Sequence, residues 1–220
     1  MNSFSRFVFV FVASVFLCSV VVGQKQPLTA VAVADSGTFD GKLYSNSILG
    51  FTMLVPGGWT VFTNNQNAAT LVAGRATTKT IASGLTQKEL ADIERSISNT
   101  QILFQASSLT KAGNICTAVL SSGVERMQTP LTKEKYIEAN KKLVLLNSSV
   151  KVTRDIYTTK LGNVAFAGFD IEGTANSKAY RQSYLATIRK GTALFFVTTL
   201  WDNKNDLVLD AGFQTLKFGQ

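Results

Sequence analysis

The stretch Thr192 to Trp201, TALFFVTTLW, is apolar on both alternating faces: Leu194, Phe196 and Leu200 on one, Phe195, Val197 and Trp201 on the other. Successive side chains of a strand point to opposite sides of its sheet, so a strand of this kind needs cover on both sides. The chain therefore predicts a sheet enclosed between two layers, with helices as the expected cover on both faces.

The strands leading up to it form a meander. Lys151–Thr159, Asn163–Ile171 and Lys178–Arg189 are separated by Gly162 and by Gly173-Thr174-Ala175-Asn176. Earlier, Lys42–Asn46 and Phe51–Val55 face each other across a Ser47–Gly50 turn. Pro56-Gly57-Gly58 then breaks the run, and Trp59 opens a strand to Phe62 and supplies an aromatic anchor. Gln101–Ser108 and Asn114–Leu120 are two more strands around a Lys111-Ala112-Gly113 turn.

Helical spacing appears in four places. Asn65–Arg75 reads as a short helix. Leu85–Ser98 has a Thr86/Glu89 capping box and a Leu85/Leu90 staple, with Leu90, Ile93 and Ile97 on one face. Thr129 is placed to cap a helix with Pro130 in its first turn, running to Leu146 with Tyr136, Ile137, Leu143 and Val144 inward. Asn205 or Asp206 caps a closing helix with Leu209, Phe213 and Leu216 at helical spacing. The fold class expected is α+β, an antiparallel sheet sandwiched by helices.

Arg6 followed by the apolar run Phe7–Val22 and Val21-Val22-Gly23 is the pattern of a secretory signal, cleaved after Gly23. An uncleaved anchor is the alternative, but the run falls short of the ~20 apolar residues of a spanning helix. No later stretch is long and apolar enough to span a bilayer. Residues 24–40 are small and polar and read as a flexible leader, which leaves 41–220 as one domain. On this reading Cys18 leaves with the signal, and Cys116 remains as a lone, buried thiol. The net charge of +8 falls by one with Arg6 and is spread along the chain. It fits an exported protein with a protein partner or an anionic envelope polymer, and specific nucleic-acid binding is not expected.

The chain contains no histidine. That removes Ser-His-Asp and Cys-His nucleophiles and His-containing zinc sites. The remaining motif matches are weak. Asp35-Ser36-Gly37-Thr38 resembles an aspartic-protease tetrapeptide but has no second copy to supply the paired carboxylate. Ser108/Lys111 and Ser148/Lys151 match S-x-x-K at strand or turn boundaries, where the two side chains do not share a helix face. Asp202 to Asp206 with Asp210 lacks the glycine and the ligand spacing of a calcium loop. Asn147-Ser148-Ser149 is a glycosylation sequon, meaningful only in a eukaryotic secretory pathway. Tyr180, Tyr184, Phe195, Phe196 and Trp201 lie at strand spacing and read as core rather than as a stacking surface. No catalytic, cofactor-binding or metal-binding residue is assigned.

Three groups of residues carry a family resemblance: Gly50, Phe51, Pro56 and Trp59; then Arg181, Tyr184, Ala186 and Gly191; then the Thr215–Phe218 tail. Their order resembles the PsbP-like superfamily over about Lys42 to Phe218. The resemblance implies an antiparallel sheet between helices, used mostly in non-enzymatic binding or assembly, and it transfers no site residue. The function expected is an exported, non-catalytic binding or assembly module, without cofactor. The alternatives are a hydrolase built on Ser/Lys or carboxylates, and a carrier of a small apolar ligand.

Overall fold

The structure, a computed structural model, describes residues 36–62, 67–68, 71, 86–108, 116–127, 129–175, 177–202 and 205–219. The expected signal segment, most of the leader and the Lys111-Ala112-Gly113 turn lie outside them, as does most of the Asn65–Arg75 helix. Of that helix, Asn67, Ala68 and Leu71 are helical.

A seven-stranded antiparallel sheet forms the centre, in the order β4-β5-β6-β10-β9-β8-β7. Its strands are β4 (Thr60–Val61), β5 (Thr100–Ser107), β6 (Ala118–Arg126), β7 (Lys151–Leu161), β8 (Val164–Ala175), β9 (Lys178–Arg189) and β10 (Thr192–Leu200). A smaller antiparallel sheet joins β1 (Thr38–Phe39), β2 (Leu43–Asn46), β3 (Phe51–Leu54) and β11 (Lys217–Phe218). The described helices are α1 (Gln87–Ser98), α2 (Lys133–Val144) and α3 (Asp206–Gln214).

β10 is central and buried from Ala193 to Thr199, as its two apolar faces require. It turns back on β9 through Lys190-Gly191, both at positive φ (47° and 76°), the backbone that matches strand twist in a two-residue hairpin. Phe195, Val197, Tyr184 and Phe169 on one face pack under Tyr136, Ile137 and Val144 of α2. Leu194, Phe196, Phe166 and Leu185 on the other pack against Tyr44, Phe51, Met53 and Phe218 of the small sheet and Leu209 of α3. The expectation of cover on both faces holds, but a second sheet does most of the covering on one of them. Short amphipathic strands bury their inner residues as well as a helix would, and here they join both ends of the described chain.

Several elements differ from the sequence reading. β1 belongs to the stretch read as leader: Thr38 pairs with Ser45, Tyr44 OH donates to Ser36 O (2.6 Å), and Asp40 accepts from the amides of Lys42 and Leu43. Gly37 of the D-S-G-T match has φ 78°, and a Cβ there would lie 2.5 Å from Ser45 O, so a structural need explains that glycine; Asp35 lies outside the described residues. β6 begins at Ala118, after Cys116 and Thr117, and continues past Leu120 to Arg126; its Ser121, Ser122 and Glu125 are buried polar residues that look like a loop in sequence. α2 is capped by Thr132, whose Oγ1 accepts from Lys135 N (3.3 Å); Thr129, Pro130 and Leu131 precede the helix. Gly173 to Ala175 are strand, and the β8–β9 hairpin turns beyond them around Ser177, at φ 61°. Leu216 follows α3, buried, and Asn205 occupies the cap position without a side-chain cap bond. Cys116 is half-buried, where a buried thiol was expected, and its Sγ lies 3.5 Å from Ala118 O.

No helix among the described residues is long and apolar enough to cross a membrane.

Candidate functional site

The small sheet covers only part of its face of the central sheet. Towards β7 that face is open, and α3 stands beside it as a wall. The result is a hollow of about 760 Å³ with strands β7 to β10 as floor, Asp206, Leu209, Asp210 and Phe213 of α3 as wall, and Leu161-Gly162 at one end. A second hollow of about 470 Å³ is bordered by Lys151, Glu172, Tyr180, Trp201 and Asp202. Arg181 and Leu200 line both, so the two adjoin along β7 and β9 and together form a trough. β7 has 11 residues, and a strand of that length runs about 33 Å.

Strand register decides what the floor presents. Residues opposite each other on neighbouring strands share a face, so Arg154, Asp170, Ser183 and Thr198 form one polar row across β7, β8, β9 and β10. A second row runs Lys151, Glu172, Arg181 and Leu200. Tyr157 OH donates to Asp170 Oδ1 at 2.9 Å; burial, and then the Asp170 charge, pushes the phenol pKa up, so it stays a donor. Above Tyr157 lies the Arg154 guanidinium, 3.7 Å from the ring centroid. At the junction of the hollows, Arg181 Nη2 donates to both oxygens of Asp206 at 3.0 and 2.9 Å. Asp206 is in the first turn of α3, where a carboxylate also complements the helix dipole. The trough offers hydrogen bonds and charges of both signs in two parallel rows.

The residues singled out by motif do other work. Ser108 Oγ accepts from the amides of Thr117 (3.1 Å) and Ala118 (2.9 Å), clasping the ends of β5 and β6; Lys111 lies outside the described residues. Ser148 is exposed in a turn held by Asn147 Oδ1, which accepts from Ser149 N (3.0 Å) and Oγ (2.8 Å), while Lys151 faces Glu172 across the ladder. Asn205 Nδ2 donates to Thr117 Oγ1 and Asp202 Oδ1, and Asp206 is committed to Arg181, so these residues fasten a turn. Among the expected core aromatics, Tyr180, Tyr184, Phe195 and Phe196 are buried. Trp201 is half-buried and borders the second hollow.

Sequence reasoning did not single out Arg154, Tyr157 or Asp170, met Asp206 only as a helix cap and in a rejected calcium-loop match, and met Arg181 only as a position in a family pattern. Alternation along Lys151–Thr159 shows which residues share a face of one strand. It carries no information about which face of the sheet α3 leaves open.

No family model matches the chain, and no curated protein matches it. Among solved structures, the chain is similar to LpqN of Mycobacterium tuberculosis, described as involved in cell envelope biogenesis: 9% identity, TM-score 0.49, over 83% of this chain and 87% of that one. It is also similar to the cyanobacterial PsbP of Synechocystis, at 10% identity and TM-score 0.46 over 83% and 96%. A protein from Bacteroides thetaiotaomicron shows 13% identity and TM-score 0.45; 83% of this chain is covered, and it spans half of that chain's length. All three TM-scores fall below 0.5.

Proposed function

We propose that this chain is an exported, non-catalytic binding module that docks an extended, polar segment of a protein partner in the trough beside β7. The observation that carries this reading is the shape and lining of the trough. It is long and open, with two cross-strand rows of mostly polar side chains, which suits a chain rather than a compact molecule. Its larger hollow is lined by three cations (Arg154, Lys160, Arg181) and three carboxylates (Asp170, Asp206, Asp210). That balance disfavours an anionic polymer, because each carboxylate would repel it, and favours a mixed polypeptide. The polar floor equally disfavours a small apolar ligand. Export rests on the amino-terminal apolar run, and kinship with the PsbP-like superfamily on the residue pattern from Gly50 to Phe218.

The test is site-specific photo-crosslinking in the exporting host. A photoreactive residue at Thr159 or Ser183 in the trough should give a discrete protein adduct, and one at exposed Lys135 on α2 should not. Equal labelling at both sites, or none in the trough, overturns the docking reading. Ester or amide hydrolysis by the purified chain that disappears with Asp170→Asn would replace it with the hydrolase.

A further inference from the structure

Of the charged groups in the trough, Arg154 is the one held in place yet left uncommitted. Arg181 is spent on Asp206, and Asp170 accepts the Tyr157 hydroxyl. Arg154 makes no hydrogen bond or ion pair among the described residues; its guanidinium stacks on Tyr157. Tyr157 is fixed in turn, by its bond to Asp170 and by packing against the core.

The backbone around Arg154 is irregular as well. The β7–β8 register shifts between Val152 and Arg154 and again between Arg154 and Tyr157. Regular pairing would need an even count between residues on the same face, and Arg154 and Tyr157 are three apart. The irregularity brings both onto the trough side, Arg154 opposite Asp170 and Tyr157 opposite Gly168. An irregular edge strand also resists pairing with another sheet, which leaves recognition to side chains.

A stacked guanidinium keeps its in-plane N–H donors available for a planar, two-oxygen acceptor, and stacking removes part of the ordering cost that a free arginine bears on binding. We infer that Arg154, mounted on Tyr157, is the anchor for a carboxylate side chain of the docked segment, so the partner is a polypeptide carrying an isolated acidic residue among neutral polar ones. This deepens the docking proposal and rests on it. A polyanion is excluded by Asp170, Asp206 and Asp210 around the same hollow. One carboxylate flanked by serine or amide groups fits, because the row beside Arg154 continues as Asp170, Ser183 and Thr198.

The experiment is an NMR titration of the full chain as its host exports and processes it. The probes are the blocked pentapeptide Gly-Ser-Glu-Ser-Gly, its Gln counterpart, inorganic phosphate and long-chain polyphosphate. The Glu peptide should shift the Arg154 Nε–H signal and the amides of Ser183 and Thr198, and bind about ten-fold more tightly than the Gln peptide. Arg154→Ala should erase that preference and Arg154→Lys should recover only part of it, because an ammonium does not make the paired contact. Tyr157→Phe keeps the ring and should retain the preference. Tyr157→Leu, checked for folding by its amide spectrum, should weaken it.

If both peptides shift the trough amides equally and Arg154→Ala changes nothing, the anchor is wrong and the docking trough stands. If neither peptide shifts any trough signal, both readings fall. If phosphate or polyphosphate moves Arg154 and the Glu peptide does not, the inference is overturned in favour of a phosphate ligand.

Discussion

Glu125 is 2% exposed, and Ser96 Oγ and Tyr136 OH both donate to its carboxylate. Burial raises its pKa from the usual 4.5 to about 7, against the opposing effect of those two bonds. The folded chain therefore keeps this proton to about pH 7, while the unfolded chain releases it near 4.5. Stability from this group is full below about 4.5, falls as pH rises through that window, and levels off above about 7. The interval amounts to about 3 kcal/mol. Glu125→Gln should unfold at higher urea than the parent at pH 8.5, and the two midpoints should converge near pH 4.5; a constant gap across that range would show that Glu125 does not titrate as described. Gly123, two residues earlier in β6, is a matter of space. A Cβ there would lie 2.3 Å from Phe195 Cζ and 2.7 Å from Gln101 O. Gly123→Ala should cost about 2–3 kcal/mol by urea denaturation, the range for overpacking a filled core. Neither residue was legible as core in the sequence. A buried acid and a glycine in Ser121-Ser122-Gly123-Val124-Glu125 look the same as a loop until the helices above them are known.

At the scale of elements, α2 shows how a boundary is decided. Pro130 marks a permissible helix start, yet the helix begins at Lys133, after a Thr132 in extended conformation (ψ 157°). Its buried positions, Tyr136, Ile137, Asn140 and Val144, set the register against β8 and β9, and the cap follows from that register. Thr132→Ala should lower stability by about 1 kcal/mol, and Thr129→Ala should leave the thermal midpoint unchanged; the reverse ranking would restore the earlier start. The strand pair β2–β3 was readable almost to the residue, because strict alternation around a polar turn fixes both face and register. The double irregularity in β7 was not, since its cause is pairing with β8 and the chemistry of the trough.

For the whole molecule, the small sheet is closed by residues from the two ends of the described chain. β1 and β2 enter from one end, and β11 adds Lys217 and Phe218 beside β3 from the other. Phe218 contacts Phe51 and Phe166 with ring centroids 5.8 and 6.0 Å apart, and the Arg189 guanidinium covers it at 4.7 Å. Removing that ring takes a wedge from between the two sheets. Phe218→Ala should cost about 3–5 kcal/mol, with loss of near-UV circular dichroism at lower urea than the parent. A change under 1 kcal/mol would mean that the tail is not part of the cooperative unit.

The sequence alone determined the α+β class, the long strands, the approximate sites of the helices and the need for a layer on each face of β10. Each of these follows from local periodicity, which is set by the geometry of a single element. What filled the second layer, where β6 ends, which threonine caps α2 and the whole of the trough were decided by tertiary structure. The trough exists because α3 and the small sheet together cover less than one full face of the central sheet. Its chemistry comes from Arg154 and Tyr157 on β7, Asp170 on β8, Arg181 on β9 and Asp206 on α3, which are brought together by strand register and the docking of one helix.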